Sequence, residues 1–339
     1  LKRPAAPEPA AFDPHRLDKS LLSRPAGAPP RGAAAEFEAK LARRAGRRFC
    51  LLTGSGRDAL KLAMTAAGAE GGTIGMTDLT HPSAPEAADW CGADKRFLGI
   101  NRSNLNLDDA AILAALRRID VLLVTHMFSA SCDIARAEKE CSAAGIPLIE
   151  DASQIIGESA AGRPYGSFGD ISVFSLSPYK PVSCPGVKAG AVLCDDRALF
   201  GRIKAAAAGF GRPSARTAAY LCLKLENLDS TLAGLGRINA AYAGSLSGLD
   251  GLSLAGAGPR AHEFPVLARK RTALEKALRA AGIPLERVYE PFSITRGAGG
   301  TCRACARYAA QALHLPAYPM MTACETAYVI KHVRKFYGH

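Results

Sequence analysis

Two apolar runs in the middle of the chain end in groups that can do chemistry. Ile146–Ile149 is followed by Glu150 and Asp151, and Ile171–Leu176 leads into Ser177, Pro178, Tyr179 and Lys180. Both runs have strand length and close on turn-forming residues, so each reads as a buried strand delivering polar groups at its carboxyl end. An acid at one strand end and a lysine just past another suit pyridoxal phosphate, which takes a lysine as a Schiff base and an acid against its ring nitrogen. Taken singly, Asp151 and Lys180 also fit as ordinary turn residues. Earlier in the chain, Gly54, Ser55 and Gly56 follow the strand-like run Arg47–Thr53 and open the helical pattern RDALKLAMTAAGA. A glycine turn at a helix N-terminus offers free N–H groups and the positive end of the helix dipole to a phosphate, although a simple helix cap has the same composition.

The elements that would position these groups alternate along the chain. AEFEAKLARRA (35–45) is helical, with Phe37 and Leu41 on one face. Strands are predicted at Thr73–Thr77, Lys95–Ile100 and Val121–Met127, with helices over Pro82–Cys91, LNLDDAAILAALRR (105–118) and Ile134–Ala144. The helix over 105–118 starts on acids and ends on two arginines, matching the helix dipole. Strand–helix alternation implies an α/β fold with a mostly parallel, doubly wound sheet, whose ligands sit beyond the carboxyl ends of the strands. Thr53, Asp151 and Ser175 lie at such ends. Past a strand at AVLCDD, Leu225–Leu246 reads as one long helix, EFPVLA as a strand, 269–281 as a helix, IPLERVY as another strand and ALHLPAYP as a loop. PFSITRGAGGT reads as a mobile Gly-rich loop. A final helix covers Thr322–Phe336, and Thr322 with Glu325 has the spacing of a capping box. Residues 1–34, rich in Pro and Ala, read as an extended arm.

The motifs E-D-A-S-Q-x-x-G from Glu150, G-S-F-G-D from Gly166 and F-S-x-S-x-x-K from Phe174 occur in this order. Together they resemble the DegT/DnrJ/EryC1/StrS family of sugar aminotransferases, and the likeness continues across most of residues 36–338. The resemblance implies the aspartate-aminotransferase fold (pyridoxal-phosphate fold type I), with an arm (1–34), a large cofactor-binding domain (35–224) and a small α+β domain (225–339). It implies that Lys180 holds the cofactor and later shuttles a proton, and that Asp151 pairs with the pyridinium nitrogen. Ser175 and Gly56 would bind phosphate, His81 would stack on the ring, and Gln154 would sit near the ring hydroxyl or the substrate. Arg57 stands where the family segment S-G-T-x-A-L has threonine, so its guanidinium either contacts the phosphate or points away. The G-x-N-x-R segment of several members is represented by Gly209, Phe210, Gly211 and Arg212. Its asparagine, which reaches the neighbouring subunit's phosphate, is absent, with Arg212 a candidate substitute. A homodimer is implied. Lysine at 180, where some relatives carry histidine and dehydrate the sugar, favours transamination from glutamate or a similar amino acid to a nucleotide-linked keto sugar. The competing readings are a pyridoxal-phosphate enzyme acting on a non-sugar substrate, and a non-catalytic binding or regulatory protein with the same fold.

Composition agrees with a globular enzyme and sets limits. The 339 residues, 48% hydrophobic and 22% charged, suffice for a large and a smaller domain. No uninterrupted apolar run is long enough to span a membrane and the first residues lack a signal-peptide core, so neither membrane nor secretion is expected. Ten scattered cysteines suggest reduced thiols in a cytoplasm. Cys302 and Cys305 form one C-x-x-C without a second pair, and no metal site is expected. The formal charge of +12 favours anionic ligands, but the basic residues are dispersed and aromatics make up only 6%, so no nucleic-acid surface is expected.

Overall fold

The computed structural model describes Phe12 and residues 32–285, 289–292 and 303–338. Most of the predicted arm, the centre of IPLERVY, residues 293–301 of the Gly-rich loop and Cys302 lie outside the described residues. Helix α1 (Ala33–Arg44) turns Phe37 and Leu41 into the core, as its spacing predicts, and leads to strand β1 (Phe49–Thr53). Helix α2 (Gly56–Ala66) follows, capped by Ser55, whose hydroxyl accepts from Asp58 N. Next come β2 (Thr73–Thr77), α3 (Ser83–Trp90), β3 (Asp94–Leu98) and α4 (Asp109–Ala115). This last helix is shorter than predicted: Asp108 caps its start by accepting from Ala110 N and Ala111 N, and Leu116–Arg118 at its end tighten into a 3-10 turn. Strand β4 (Val121–Thr125), helix α5 (Ile134–Ala144), strand β5 (Leu148–Asp151), the short ribbon β6 (Ser159–Ala160) and β7 (Arg163–Pro164), strand β8 (Ile171–Ser175) and strand β9 (Gly190–Cys194) complete the large unit.

Seven strands form one sheet in the order β1-β9-β8-β5-β4-β2-β3. The β5–β8, β4–β5, β2–β4 and β2–β3 pairs are parallel, while β9 runs antiparallel to β1 and to β8. Both faces are covered, which explains why the strands read as continuous apolar runs. Side chains nevertheless alternate between faces. Val121, Leu123, Ile149, Ile171 and Val173 pack with α2, whereas Leu122, Val124 and Leu148 pack on the opposite side with α4 and α5. The same alternation sends Thr125, Asp151 and Ser175, at the strand ends, to the α2 side. Glu150 goes to the other side, where it accepts from Gly166 N and Phe168 N at 2.8 Å each and lies 3.1 Å from His126 Nε2.

The rest of the chain forms α6 (Arg197–Ala206), α7 (Ala215–Glu226), α8 (Leu228–Leu246), β10 (Leu252–Leu254), β11 (Glu263–Ala268), α9 (Arg271–Ala280), α10 (Arg303–Gln311), β12 (Ala312–Pro316) and α11 (Ala323–Phe336). Two predictions here need correcting. The long helix expected over 225–246 is two helices meeting at Asn227, whose amide donates back to Leu223 O at 2.8 Å and ends α7. ALHLPAYP is not all loop: Ala312–Pro316 is a strand paired antiparallel with β11 in a sheet of order β10-β11-β12. Pro316 sits at the end of an edge strand, where a missing N–H is tolerated. The expected capping box is present on α11, with Thr322 accepting from Glu325 N and Glu325 accepting from Thr322 N. One apolar cluster joins α1, α7 and α8 to the small sheet, through Phe37, Leu232, Tyr242, Phe264, Leu315 and Val333 among others.

Candidate active site

A cavity of about 810 Å³ opens where the carboxyl ends of β4, β5 and β8 meet the N-terminus of α2. Asp151, Ser175 and Lys180 line it from the sheet, Gly56 and Arg57 from α2, and His81 and Gln154 from neighbouring loops. All seven predicted site residues therefore share one cavity.

Each is placed by local structure. Lys180 follows a turn closed by Lys180 N on Ser177 O at 3.3 Å, with Pro178 second and left-handed Tyr179 (φ 75) third. That φ is one a side-chain-bearing residue rarely adopts, and it sits at the position where type II turns prefer glycine. At the phosphate-suited end, the first-turn N–H groups of α2 have no intrahelical acceptor. Gly56 presses on β8 so closely that a Cβ there would lie 2.9 Å from Ser175 Cβ. Gly190 does the same from β9: a Cβ would meet Ser55 O at 2.5 Å and Gly56 N at 2.6 Å. Two missing side chains thus let the helix start sit directly on the sheet end.

The electrostatics divide the cavity. Burial pushes the Asp151 carboxyl above its ordinary range, opposed by hydrogen bonding to Ser153, whose N–H lies 3.1 Å from Oδ1, and by the charge of Lys180. Lys180 Nζ lies 3.0 Å from His262 Nε2. Burial and the charge of Lys180 hold His262 neutral, with a pKa of about 3. The same two causes, burial first, lower His81, whose ring meets Tyr289 edge-on with centroids 5.6 Å apart. Gln154 is held by its own Oε1, which accepts from Phe128 N at 2.7 Å. The Arg57 guanidinium pairs with Glu86 at 2.8 Å, so its charge is already partnered at the rim. Arg212 donates to Glu38 and to Leu52 O and is not among the residues lining the cavity.

These groups fit pyridoxal phosphate. Gly56, Ser55 and Ser175 form a cradle too tight for a Cβ, suited to a phosphate on backbone N–H groups. Asp151 can face a ring nitrogen and Lys180 can supply the amine, while the Thr125 hydroxyl lines the same cavity, buried and without a hydrogen-bond partner among the described residues. Sequence reasoning missed His262 and Glu263, which come from the start of β11, and Tyr289, which comes from outside the helices and strands. The only available signal was a polar His-Glu pair at the start of EFPVLA, of the same kind as the acids that close β5.

The model of the DegT/DnrJ/EryC1/StrS aminotransferase family matches residues 32–334. The chain belongs to that family. It is an aminotransferase, and the family's aminotransferases depend on pyridoxal phosphate. Among curated relatives, dTDP-3-amino-3,4,6-trideoxy-alpha-D-glucose transaminase of Streptomyces venezuelae is 27% identical over 88% of this chain and 86% of its own. UDP-2-acetamido-2-deoxy-3-oxo-D-glucuronate aminotransferase of Pseudomonas aeruginosa is 26% identical over 77% of each. UDP-4-amino-4,6-dideoxy-N-acetyl-beta-L-altrosamine transaminase of Campylobacter jejuni is 31% identical, but the match covers 50% of this chain and 45% of that relative. Among solved structures, DesI in the presence of its TDP-sugar product has a TM-score of 0.84 at 26% identity, covering 97% of this chain and 94% of its own. The resemblance read from the motifs and the α/β fold drawn from it both hold. No helix among the described residues is long and apolar enough to cross a membrane.

Proposed function

We propose that this family member moves an amino group from an amino acid, with glutamate as the expected donor, to a nucleotide-linked keto sugar. The observation that carries the reading is the meeting of Asp151, Lys180, Gly56 and Ser175 in one cavity at the strand ends. The sugar class is supported by relatives whose names are UDP- and dTDP-sugar aminotransferases. Bound pyridoxal phosphate supplies an electron sink for the carbon that gains or loses the amino group.

The chain's own residues do the rest. The first turn of α2 and the Ser175 hydroxyl bind the phosphate. Asp151 holds a proton on the ring nitrogen, its burial strengthening that charged contact. His81 would cover one face of the ring, and Gln154 would sit near the ring hydroxyl or the substrate. The Lys180 amine takes up and returns a proton at Nζ, with the neutral His262 imidazole as the acceptor that orients it between these events. Lys61 and Lys188 give the rim a positive field suited to a nucleotide diphosphate.

The domain division at 224/225 belongs to the same proposal and is supported by the separate three-stranded sheet. So does a homodimer, to be checked by sedimentation. A cytoplasmic setting is supported by nine described cysteines that are all free thiols. The decisive experiment is the visible absorption of the protein with pyridoxal phosphate before and after glutamate, followed by keto-sugar amination. A covalent cofactor band that glutamate converts, absent in Lys180→Ala, is expected. The same band and the same turnover in Lys180→Ala would remove Lys180 from its role.

A further inference from the structure

The small-sheet side of the cavity carries a buried carboxylate that none of the roles above uses. Glu263 opens β11, is 9% exposed and lines the cavity. It stands two contacts from the reacting lysine, because the His262 Nε2 atom that meets Lys180 also lies 3.9 Å from Glu263 Oε1. Burial opposes its ionisation, but Lys180, His262, His314 and the Tyr289 hydroxyl together hold its pKa below the ordinary range. An ionised carboxylate can take about four hydrogen bonds. Among the described residues only the Tyr289 hydroxyl donates to it, at 2.9 Å from Oε1. Oε2 is buried with no hydrogen-bond partner among the described residues, as are His262 Nδ1 and His314 Nδ1, the latter 3.9 Å from Oε2 and too far to donate to it. His314 is fixed from behind by Tyr308, whose hydroxyl lies 2.6 Å from Nε2. So poorly satisfied a charge is costly in the free protein. That cost has a reason where a ligand brings the missing donor.

We propose that Glu263 is a specificity-determining residue that accepts a hydrogen bond from a hydroxyl on the carbon next to the keto group of the sugar. The inference rests on the keto-sugar reading above. The carbon to be aminated must lie within proton-transfer reach of the Lys180 amine, and His262, 3.0 Å from that amine, and Glu263 line the cavity beside it, within reach of a substituent one carbon away. A neutral hydroxyl suits that place better than the carboxylate of an amino donor, which would meet a like charge with little water between. Loss of a hydrogen bond to a charged acceptor in such a site reduces discrimination by about 10- to 150-fold.

The test uses Glu263→Gln, which keeps the shape and still accepts from Tyr289, and Glu263→Asp, which keeps the charge but withdraws it by one methylene. Their kcat/KM is compared on two nucleotide-linked keto sugars differing only in the hydroxyl beside the carbonyl. Calorimetry then measures binding of the two matching amino-sugar products to cofactor-free protein. Wild type is expected to favour the hydroxylated sugar in both assays, and both variants to lose that preference while handling the deoxy sugar within about threefold of wild type. Should Glu263→Gln fail to fold, Glu263→Asp decides. An unchanged preference, or equal losses on both sugars, overturns the role of Glu263 and leaves the enzyme's function standing. A wild type that aminates neither sugar but binds the hydroxylated product through Glu263 removes the proposed function alone. Binding of neither product removes both.

Discussion

Replacing Gly190 by alanine tests how the phosphate cradle is built. Its new Cβ would sit 2.5 Å from Ser55 O and 2.6 Å from Gly56 N, whereas ordinary contact starts at 3.4 Å. One side must therefore give way by about 0.9 Å, and overpacking of this kind costs about 1–3 kcal/mol. Strand β9 is the less able to move. It is paired along its whole length on both sides, and Gly190 is in register with Thr53 and with Ser175. The Ser55–Gly56 turn yields instead, carrying the first N–H groups of α2 away from Ser175. If most of that cost falls on the cradle, the dissociation constant for pyridoxal phosphate rises about 5- to 150-fold. The cofactor-free protein should lose little melting temperature, while the stabilisation gained from a fixed cofactor concentration should shrink. Fluorescence titration with pyridoxal phosphate, paired with melting curves with and without it, measures both quantities. A dissociation constant within twofold of wild type, with unchanged melting of the cofactor-free form, would refute the argument that these glycines admit the helix start to the sheet.

Three further outcomes follow from the same geometry. Asp151→Asn should keep the fold, because its amide oxygen can still accept from Ser153 N, yet slow the half-reaction with glutamate about 100-fold or more; a rate near wild type in stopped-flow absorbance would dismiss the ring-nitrogen role. His262 has a pKa of about 3 in the folded chain against 6.5 for an ordinary imidazole, so below 6.5 the unfolded chain binds a proton that the folded one refuses. Stability should thus fall as pH drops from 6.5 towards 3, by up to about 1.4 kcal/mol per pH unit from this group, and His262→Gln should flatten the slope in urea titrations by about one proton. Parallel slopes would show that His262 is not held neutral. Thr322→Ala removes half of the capping box on α11 and should cost about 1 kcal/mol, or about 1–2 °C of melting temperature, with cofactor binding unchanged; an unaltered melting curve would mean that the cap contributes nothing.

Much of this was legible in the sequence, and what was missed has physical causes. β2, α5 and β11 fall where their patterns place them, because each is bounded by turn or capping residues and packs a full apolar face. Asp151 and Lys180 were visible because each follows a buried apolar run, Asp151 as the last residue of β5 and Lys180 in the turn after β8, where a parallel sheet presents its groups to a ligand. The break at Asn227 was hidden because both flanking helices keep the same apolar spacing and no glycine or proline marks the join. β12 was hidden by prolines that an edge strand tolerates. The partners of Arg57 and Arg212, namely Glu86 and Glu38, were beyond reach, since a charge in a sequence does not say which opposite charge it will meet. His262 and Glu263 were missed for the same reason: 82 residues separate His262 from the lysine it meets.

The antiparallel strand β9 also bears on the order in which the molecule can assemble. Phe49 at the start of β1 pairs with Cys194 at the end of β9, and Gly190 closes the register against Thr53 and Ser175. Until that late strand leaves the ribosome, β1 has no neighbour on its inner edge and the start of α2 has no floor to rest on. Such long-range pairing is slow, because the closure of a large loop must be met before any contact rewards it. The cofactor therefore arrives at a nearly finished molecule. It can trap the folded state, but it cannot template the steps that lead there.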